Sequence, residues 1–175
     1  MAIDHLNNVE KVLIDNLVTG TYNTVSGDTE TTATAWTDGD VTVFGQFPTT
    51  TETKYPCIIT EMVANGIETQ FMGQRLTSGS SNAIGELYGV GFNIYLMVDK
   101  DSSITVGTPY RERRLLNYLM LNSANVLIDC DFTTGSPSTE VVERHFSGFK
   151  EIGYNPQLET WNALASLVIV FKNSR

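Results

Sequence analysis

The sequence predicts an α+β fold: a mostly antiparallel sheet with an N-terminal helix and a central helix on one face, plus a Thr-rich β-arm. Two observations support this class. The stretch Glu86–Val98 alternates between a fully apolar parity and a mixed one, which is typical of a strand with one face on a core. The stretch Pro109–Leu121 then repeats leucines at helical spacing. Because strands and helices interleave without a linker, we expect residues 1–175 to form a single domain.

The first element is an amphipathic helix, predicted over residues 2–18. Gly20 follows it and is a suitable stop, because glycine readily takes the left-handed conformation that ends many helices. The apolar stripe of this helix consists of Ile3, Leu6, Val9, Leu13 and Leu17.

The second region is rich in threonine. Thirteen of the 35 residues from 19 to 53 are threonine, so the region can bury little apolar surface. Asp38 and Gly39 are a turn signal, and Val41 and Val43 alternate with a threonine as in a strand. We therefore predict that residues 21–47 form a protruding β-arm or loop, with a hairpin tip near Asp38–Asp40. The alternative is a disordered loop.

A second hairpin is predicted after Pro56. Its first strand is Cys57–Ala64, and its return strand is Ile67–Met72. Asn65 and Gly66 between them suit a type I′ turn, whose two central residues need positive φ. Residues 73–85 are rich in Gly and Ser, which predicts a loop before the central strand.

The central strand and helix are expected to share a core. Thr108 is the predicted N-cap of the helix, Pro109 suits its first turn, and Glu112 lies where the helix dipole favours an anion. Leu115 and Leu119 then face the strand. The apolar parity of that strand consists of Tyr88, Val90, Phe92, Ile94, Leu96 and Val98.

Two long strands are predicted to close the domain. A short apolar run at Val126–Ile128 and a loop through Pro137 come first. The strands are Val141–Tyr154 and Trp161–Phe171, with a turn at Asn155 and Pro156 between them. An antiparallel pair with helices on one face of the sheet is the expected packing.

Composition and charge exclude several classes of protein. The hydrophobic content of 41% suffices for a core, and the formal net charge of −9 argues against a nucleic-acid-binding surface or an anionic membrane. No apolar run approaches the roughly 18 residues of a membrane span. The N-terminus lacks the pattern of a signal peptide, so we expect synthesis in the cytoplasm.

The sequence contains no recognisable catalytic, cofactor-binding or metal-binding motif, and we expect no enzymatic activity. His5 and His145 are far apart and lack partner motifs. Cys57 and Cys130 fit no metal spacing and are expected to be free, buried thiols, with a disulfide as the alternative. Turn and capping chemistry explains the acidic pairs better than calcium binding does. These pairs are Asp28/Glu30, Asp38/Asp40, Asp99/Asp101 and Asp129/Asp131.

Aromatic and apolar residues in polar loops are candidates for a protein–protein surface. The alternative is that these loops fold back and bury them. The candidates are Trp36, Phe44, Phe47, Phe71 and Met72. The one basic cluster, Arg111, Arg113 and Arg114, is expected to form a solvated helix face or an intersubunit salt bridge rather than a phosphate site.

The order of these elements resembles that of the tail terminator (tail-completion) proteins of long-tailed bacteriophages. The elements that carry the resemblance are Ile3–Leu17, Pro56–Met72, Tyr88–Val98, Pro109–Leu121 and Val141–Phe171. The resemblance implies a structural virion protein of the tail or neck, made in the host cytoplasm. It implies a homo-oligomeric ring, expected to be a hexamer, that caps the tail tube protein and joins it to the head–tail connector protein. It implies no catalytic residues, no cofactor, no membrane and no sequence-specific nucleic acid.

Two other classes remain open from the sequence. One is another neck or head-completion protein that binds portal or adaptor instead of tube. The other is a cytoplasmic α+β ligand-binding module, or a small enzyme, with a pocket between helix and sheet.

Overall fold

A computed structural model describes most of the chain. The described residues are 2–26, 29–49, 53–63, 68–71, 75–78, 81–134 and 139–174. The helices are α1 (Ala2–Thr19) and α2 (Glu112–Asp129), with a 3₁₀ turn at Phe132–Thr134. The strands are β1 (Thr21–Ser26), β2 (Thr29–Thr34), β3 (Thr42–Phe44), β4 (Cys57–Met62), β5 (Glu68–Phe71), β6 (Arg75–Ser78), β7 (Ser81–Asp99), β8 (Ser103–Val106), β9 (Thr108–Arg111), β10 (Val141–Phe146), β11 (Lys150–Asn155) and β12 (Thr160–Ser174).

The predicted α+β class is confirmed. The main sheet has the order β10–β12–β7–β4–β3, with β11 beside β12 and with β5 and β6 beside β7. Its strand pairs are antiparallel except for β3 and β4, which run parallel. Two further strand pairs, β1–β2 and β8–β9, form small sheets of their own. The mostly antiparallel arrangement is therefore the one expected.

The spine of the sheet is the antiparallel pair of β7 and β12. Their register runs without interruption from Asp99 opposite Thr160 to Gly85 opposite Ser174. The predicted apolar parity of β7 is the buried one, and the same parity of β12 lies beside it. The buried residues of this inner face include Val90, Phe92, Ile94, Leu96, Ala163, Ala165, Leu167 and Ile169.

Both helices contribute to one core with this inner face. Leu13 and Leu17 of α1 and Leu115 and Leu119 of α2 are fully buried and belong to the same cluster as Phe92. The predicted shared core is therefore confirmed. The helical stop at Gly20 is also confirmed, since Gly20 has a φ of +60° and its N–H donates to the Asn16 carbonyl.

The hairpin of the Thr-rich region lies elsewhere than predicted. β1 pairs with β2 from Thr21 opposite Thr34 to Ser26 opposite Thr29, so the predicted tip near Asp38–Asp40 is wrong. Threonine recurs on both sides of every candidate turn, and such a pattern fixes register weakly. Asp38–Asp40 instead forms a local turn before β3, closed by a hydrogen bond from the Asp40 N–H to the Thr37 carbonyl, and the strands on either side of it pair elsewhere, β2 with β1 and β3 with β4.

The second predicted hairpin is also wrong in its pairing. β4 and β5 both pair with β7, at successive positions along its length, instead of with each other. β7 is long enough for this because it begins at Ser81, inside the predicted loop 73–85. β6 pairs with that early part of β7, from Arg75 opposite Ile84 onward. The predicted turn at Asn65 and Gly66 lies outside the described residues.

The central helix begins later and ends later than predicted. Thr108 is not the N-cap, because Thr108–Arg111 forms β9 and pairs with β8 across Gly107. Arg111 holds the N-cap position with extended backbone and without a capping side-chain hydrogen bond. The helix then continues to Asp129, so the predicted separate run Val126–Ile128 is its last part.

The predicted strand Val141–Tyr154 is two strands. β10 and β11 pair in succession with β12, and the break between them includes Gly148, whose φ is +74°. The turn at Asn155 is confirmed. Its side-chain Oδ1 accepts a hydrogen bond of 3.0 Å from the Gln157 N–H.

Candidate assembly surfaces

Trp36, predicted as an interface residue, lies in the core. Its side chain is 2% exposed, and its indole Nε1–H donates to the Leu17 carbonyl over 3.0 Å. The backbone bond from the Ala35 N–H to the Gly20 carbonyl, 2.9 Å, holds the segment there. The exposed position expected for Trp36 is therefore wrong, and the alternative, in which the loop folds back, is correct for this residue.

The other aromatic candidates are placed differently from one another. Phe44 is half-buried in β3, opposite Ile59. Phe47 is 49% exposed and meets the ring of Tyr95 edge-on, with ring centroids 4.8 Å apart. Phe71 belongs to β5, where only the backbone is described, and Met72 lies outside the described residues. Of this set, Phe47 has a described side chain on the surface.

The outer face of the sheet, opposite the helices, carries an apolar strip that the sequence did not predict. We define the outer strip as Phe47, Tyr95, Met97 and Ile152, which border a shallow cleft of about 280 Å³. Ile152 is 62% exposed and follows Glu151, which pairs with Ala163 of the inner face. A bulge in the register between Glu151 and Gly153 then places Tyr154 opposite Trp161, on the side of the inner face. In the sequence this bulge is signalled only by the imperfect alternation before Gly153.

The hairpin β1–β2 is anchored at its base and exposed along its second strand. The Tyr22 hydroxyl donates to Asn122 Oδ1 over 3.0 Å, and the Asn23 N–H donates to Asp129 Oδ2 over 2.8 Å, so α2 fixes β1. All residues of β2 except Ala33 are exposed. Among the described residues the outer edge of β2 has no neighbouring strand.

Within the described residues this edge has one of the devices that usually prevent strand pairing, the charge of Glu30, and no other. Natural edge strands are protected by charged side chains, especially lysine, and by proline, bulges or a covering element. β2 has the sequence Thr-Glu-Thr-Thr-Ala-Thr and an unbroken register with β1. The backbone groups of the β2 edge can therefore accept a further strand.

The arginine cluster lies around the first turn of α2. Arg113 is paired with Glu151, with Nη2 and Nε at 3.0 and 3.2 Å from its Oε2. Arg114 lies over the ring of Tyr110 at 5.9 Å. Within the described residues Arg111 makes no ion pair, so Arg111 and Arg114 keep guanidinium groups available for another molecule.

A cleft of about 590 Å³ lies beside the last turn of α2, between it and β10. Arg144, the one cation among the described residues that line it, is already engaged. Arg144 donates to the carbonyls of Leu127 at 2.9 Å, Cys130 at 2.6 Å and Ile128, all left unpaired by the end of the helix. The guanidinium therefore caps α2 instead of facing a ligand.

Asp40, Asp99 and Asp131 of the acidic pairs serve turns, as predicted, whereas Asp129 accepts from the Asn23 N–H and anchors the hairpin. Asp40 accepts from the N–H and hydroxyl of Thr37, and Asp99 does the same for Ser102. Asp131 accepts from the N–H and hydroxyl of Thr133, and these bonds hold its pKa below the usual value. Asp28 lies outside the described residues. Among those described, no three His, Cys, Asp or Glu side chains are grouped closely enough to hold a metal ion.

Both cysteines are buried and unpaired, which confirms the predicted free thiols. Burial raises the pKa of Cys57 and that of Cys130 to about 12. Both thiols are consequently protonated near neutral pH, the form that is a poor nucleophile.

Comparison with known proteins adds no identity. No protein-family model matches the sequence. A search of curated proteins finds no match either. Within the described part of the chain, neither helix is long and apolar enough to cross a membrane.

Proposed function

We propose that this protein is a structural virion protein that forms a ring, resembling the tail terminators that cap the tail tube and join it to the head connector. The observation that carries the proposal is the edge of β2, with Glu30 as its one charge, in the β1–β2 hairpin that is anchored to α2 and that we call the arm. An edge of this kind is suited to pairing with another polypeptide. Apart from the Pro56–Met72 hairpin, whose two strands both pair with β7, the order of helices and strands along the chain supports the choice of tail terminators among assembly proteins.

The arm is expected to need a further contact for its stability. A two-stranded hairpin is marginally stable in water unless it packs on another element or gains a third strand. Beyond Asn23 the arm leaves α2, and its threonine pairs, such as Thr24 with Thr31 at 2.9 Å, are its own contacts. A strand from a neighbouring subunit or from the tube protein would complete it.

The outer strip supplies a second contact. Aromatic residues are enriched at protein interfaces, and the strip combines the rings of Phe47 and Tyr95 with exposed Ile152. A closed ring repeats one heterologous contact, so each subunit needs two different surfaces. The arm and the outer strip lie on separate elements and meet this requirement.

The test is a variant in which residues 24–31 are replaced by Asn-Gly. Asn23 and Thr32 are paired residues, so a two-residue turn can join them without disturbing the anchored base. A deletion extending to residue 43 is unsuitable, because Ala35, Trp36 and Val41 are core residues. Val25→Thr is the matched control: it removes the exposed apolar side chain and keeps the strand edge.

We expect the shortened variant to unfold within a few degrees of the wild type and to lose ring formation or tube binding in electron micrographs. Val25→Thr should assemble normally. A shortened variant that still forms rings and completes tails would contradict the assigned role of the arm.

A further inference from the structure

The charges along α2 run against the helix dipole. Anions are favoured at a helix N-terminus and cations at its C-terminus. Here Arg111, Arg113 and Arg114 lie at the N-terminal end with a single acid, Glu112, the last turn contains no basic residue, and Asp129 is the final residue. On balance this order disfavours the isolated helix.

Contacts within the chain offset part of this unfavourable order of charges. Glu151 neutralises Arg113, and Arg144 caps the C-terminal carbonyls. Arg111 and Arg114 remain without a carboxylate partner among the described residues. Two charged surfaces are left, which we name the arginine pole (Arg111 and Arg114) and the acidic pole (Glu30, Asp129 and Asp131).

The two poles lie at opposite ends of the same helix. A rise of 1.5 Å per residue separates Arg111 from Asp129 by about 27 Å. Glu30 belongs to the acidic pole because the Asn23–Asp129 hydrogen bond fixes the hairpin to that end of α2. Glu30 pairs with Val25, two residue pairs beyond Asn23. The poles are thus too far apart to meet within one chain.

We infer that the arginine pole of one copy binds the acidic pole of the next copy, so that the α2 helices follow one another head to tail. This inference rests on the proposed ring and adds a charged contact to those of the arm and the outer strip. Charge complementarity identifies the occupant as a second copy, because the chain carries both halves of the contact. A head-to-tail contact is heterologous, as a ring requires. A two-fold contact between antiparallel α2 helices would also join unlike poles, but it would close as a dimer, so a dimeric mass in solution would contradict the head-to-tail arrangement.

A charge-swap experiment tests this contact. Variant A is Arg111→Glu with Arg114→Glu, and variant B is Glu30→Arg with Asp131→Arg. Lys54→Glu with Lys150→Glu is the control for variant A, because it makes the same change in net charge at exposed lysines elsewhere. Glu30→Gln with Asp131→Asn removes the acidic charges and keeps the turn acceptor of Asp131, in case variant B does not fold.

Association is measured by light scattering at low salt and compared with wild type. We expect variants A and B each to associate at least about tenfold more weakly, and the neutral variant to be weakened as well. An equimolar mixture of A and B should regain the wild-type mass. The changed, now acidic pole of A can bind the changed, now basic pole of B, and the unchanged poles of the two variants can bind each other. The lysine control should associate normally.

Several outcomes would overturn the inference. If variant A associates as wild type does, the ring is built by other surfaces and the proposed function survives. If A and B fail to restore each other, the poles do not contact one another. If variant A forms rings but no longer binds tail tubes, the arginine pole serves an acidic partner instead. If the wild type never associates, the proposed function fails as well.

Discussion

The indole Nε1–H of Trp36 donates a hydrogen bond to the carbonyl oxygen of Leu17 in the last turn of α1, over 3.0 Å. That carbonyl is one of the acceptors that a helix end leaves unpaired. Trp36 therefore satisfies the end of α1 and fills the core at the same time. The ring also packs on Gly20, where an added Cβ would lie 2.5 Å from two of its atoms.

We predict that Gly20→Ala destabilises the fold. The added methyl group meets the Trp36 ring, and alanine is disfavoured at the φ of +60°. Gly39→Ala is the matched control, because Gly39 has a φ of +92° but no atom within 4 Å of the added Cβ. In chemical denaturation, Gly20→Ala should lose about 1–3 kcal/mol more than Gly39→Ala. Equal losses would show that the ring is not packed against Gly20.

The packing of the inner face predicts a large effect at Phe92. Its side chain is 1% exposed between the helices and the sheet, so Phe92→Ala should lower the free energy of unfolding by about 3–5 kcal/mol. Ile152→Ala, on the outer strip, should change it by less than about 0.5 kcal/mol. A loss below about 1 kcal/mol for Phe92→Ala would mean that the assigned face is wrong.

Arg144 is predicted to stabilise the end of α2. Its planar guanidinium donates hydrogen bonds to three carbonyls, and a lysine ammonium cannot reproduce that geometry. Arg144→Lys should therefore cost about 1–2 kcal/mol, and Arg144→Ala about 2–4 kcal/mol, in thermal or denaturant unfolding. The neighbouring His145 is exposed and pairs with exposed Glu143; it serves as the control, and His145→Ala should be close to neutral.

The buried thiols predict a loss of stability at alkaline pH. Burial raises the pKa of Cys57 from 9.0 to about 12, so between these values the unfolded chain releases a proton that the folded chain keeps. The contribution of the protonated Cys57 thiol to the free energy of unfolding is therefore complete below pH 9 and is lost as pH rises toward 12. Burial raises the pKa of Tyr55 and of Tyr118 as well, which acts in the same direction.

The measurement compares wild type with Cys57→Ala in denaturant between pH 9 and pH 11. The slope of the free energy of unfolding against pH should be shallower in the variant by about 1 kcal/mol per pH unit. Identical slopes would indicate that the Cys57 thiol titrates normally in the folded protein.

The sequence predicted those elements that have strong periodicity. The parity of β7 and β12 and the stripes of both helices identified the core, because burial of one face imposes a period that a sequence displays. The sequence did not predict which strands pair where several registers fit its pattern equally well. Threonine-rich strands fit many registers, and a Gly- and Ser-rich stretch gave no sign that Ser81 already belongs to β7.

The candidate surfaces were harder to predict than the core. Trp36 looked exposed because its neighbours are polar, but its hydrogen bond to Leu17 depends on the end of a distant helix. The outer strip joins Phe47 to Ile152, which are brought together only by the strand order. The arginine cluster was visible from sequence, whereas the pairing of Arg113 with Glu151 required the structure.

The most direct test of the proposed function is the mass of the purified protein in solution, measured by multi-angle light scattering over a range of concentrations at low salt. The account predicts a discrete particle of several copies of the 19.3 kDa chain, six if the resemblance to tail terminators holds. A mass of 19.3 kDa at every concentration would contradict it.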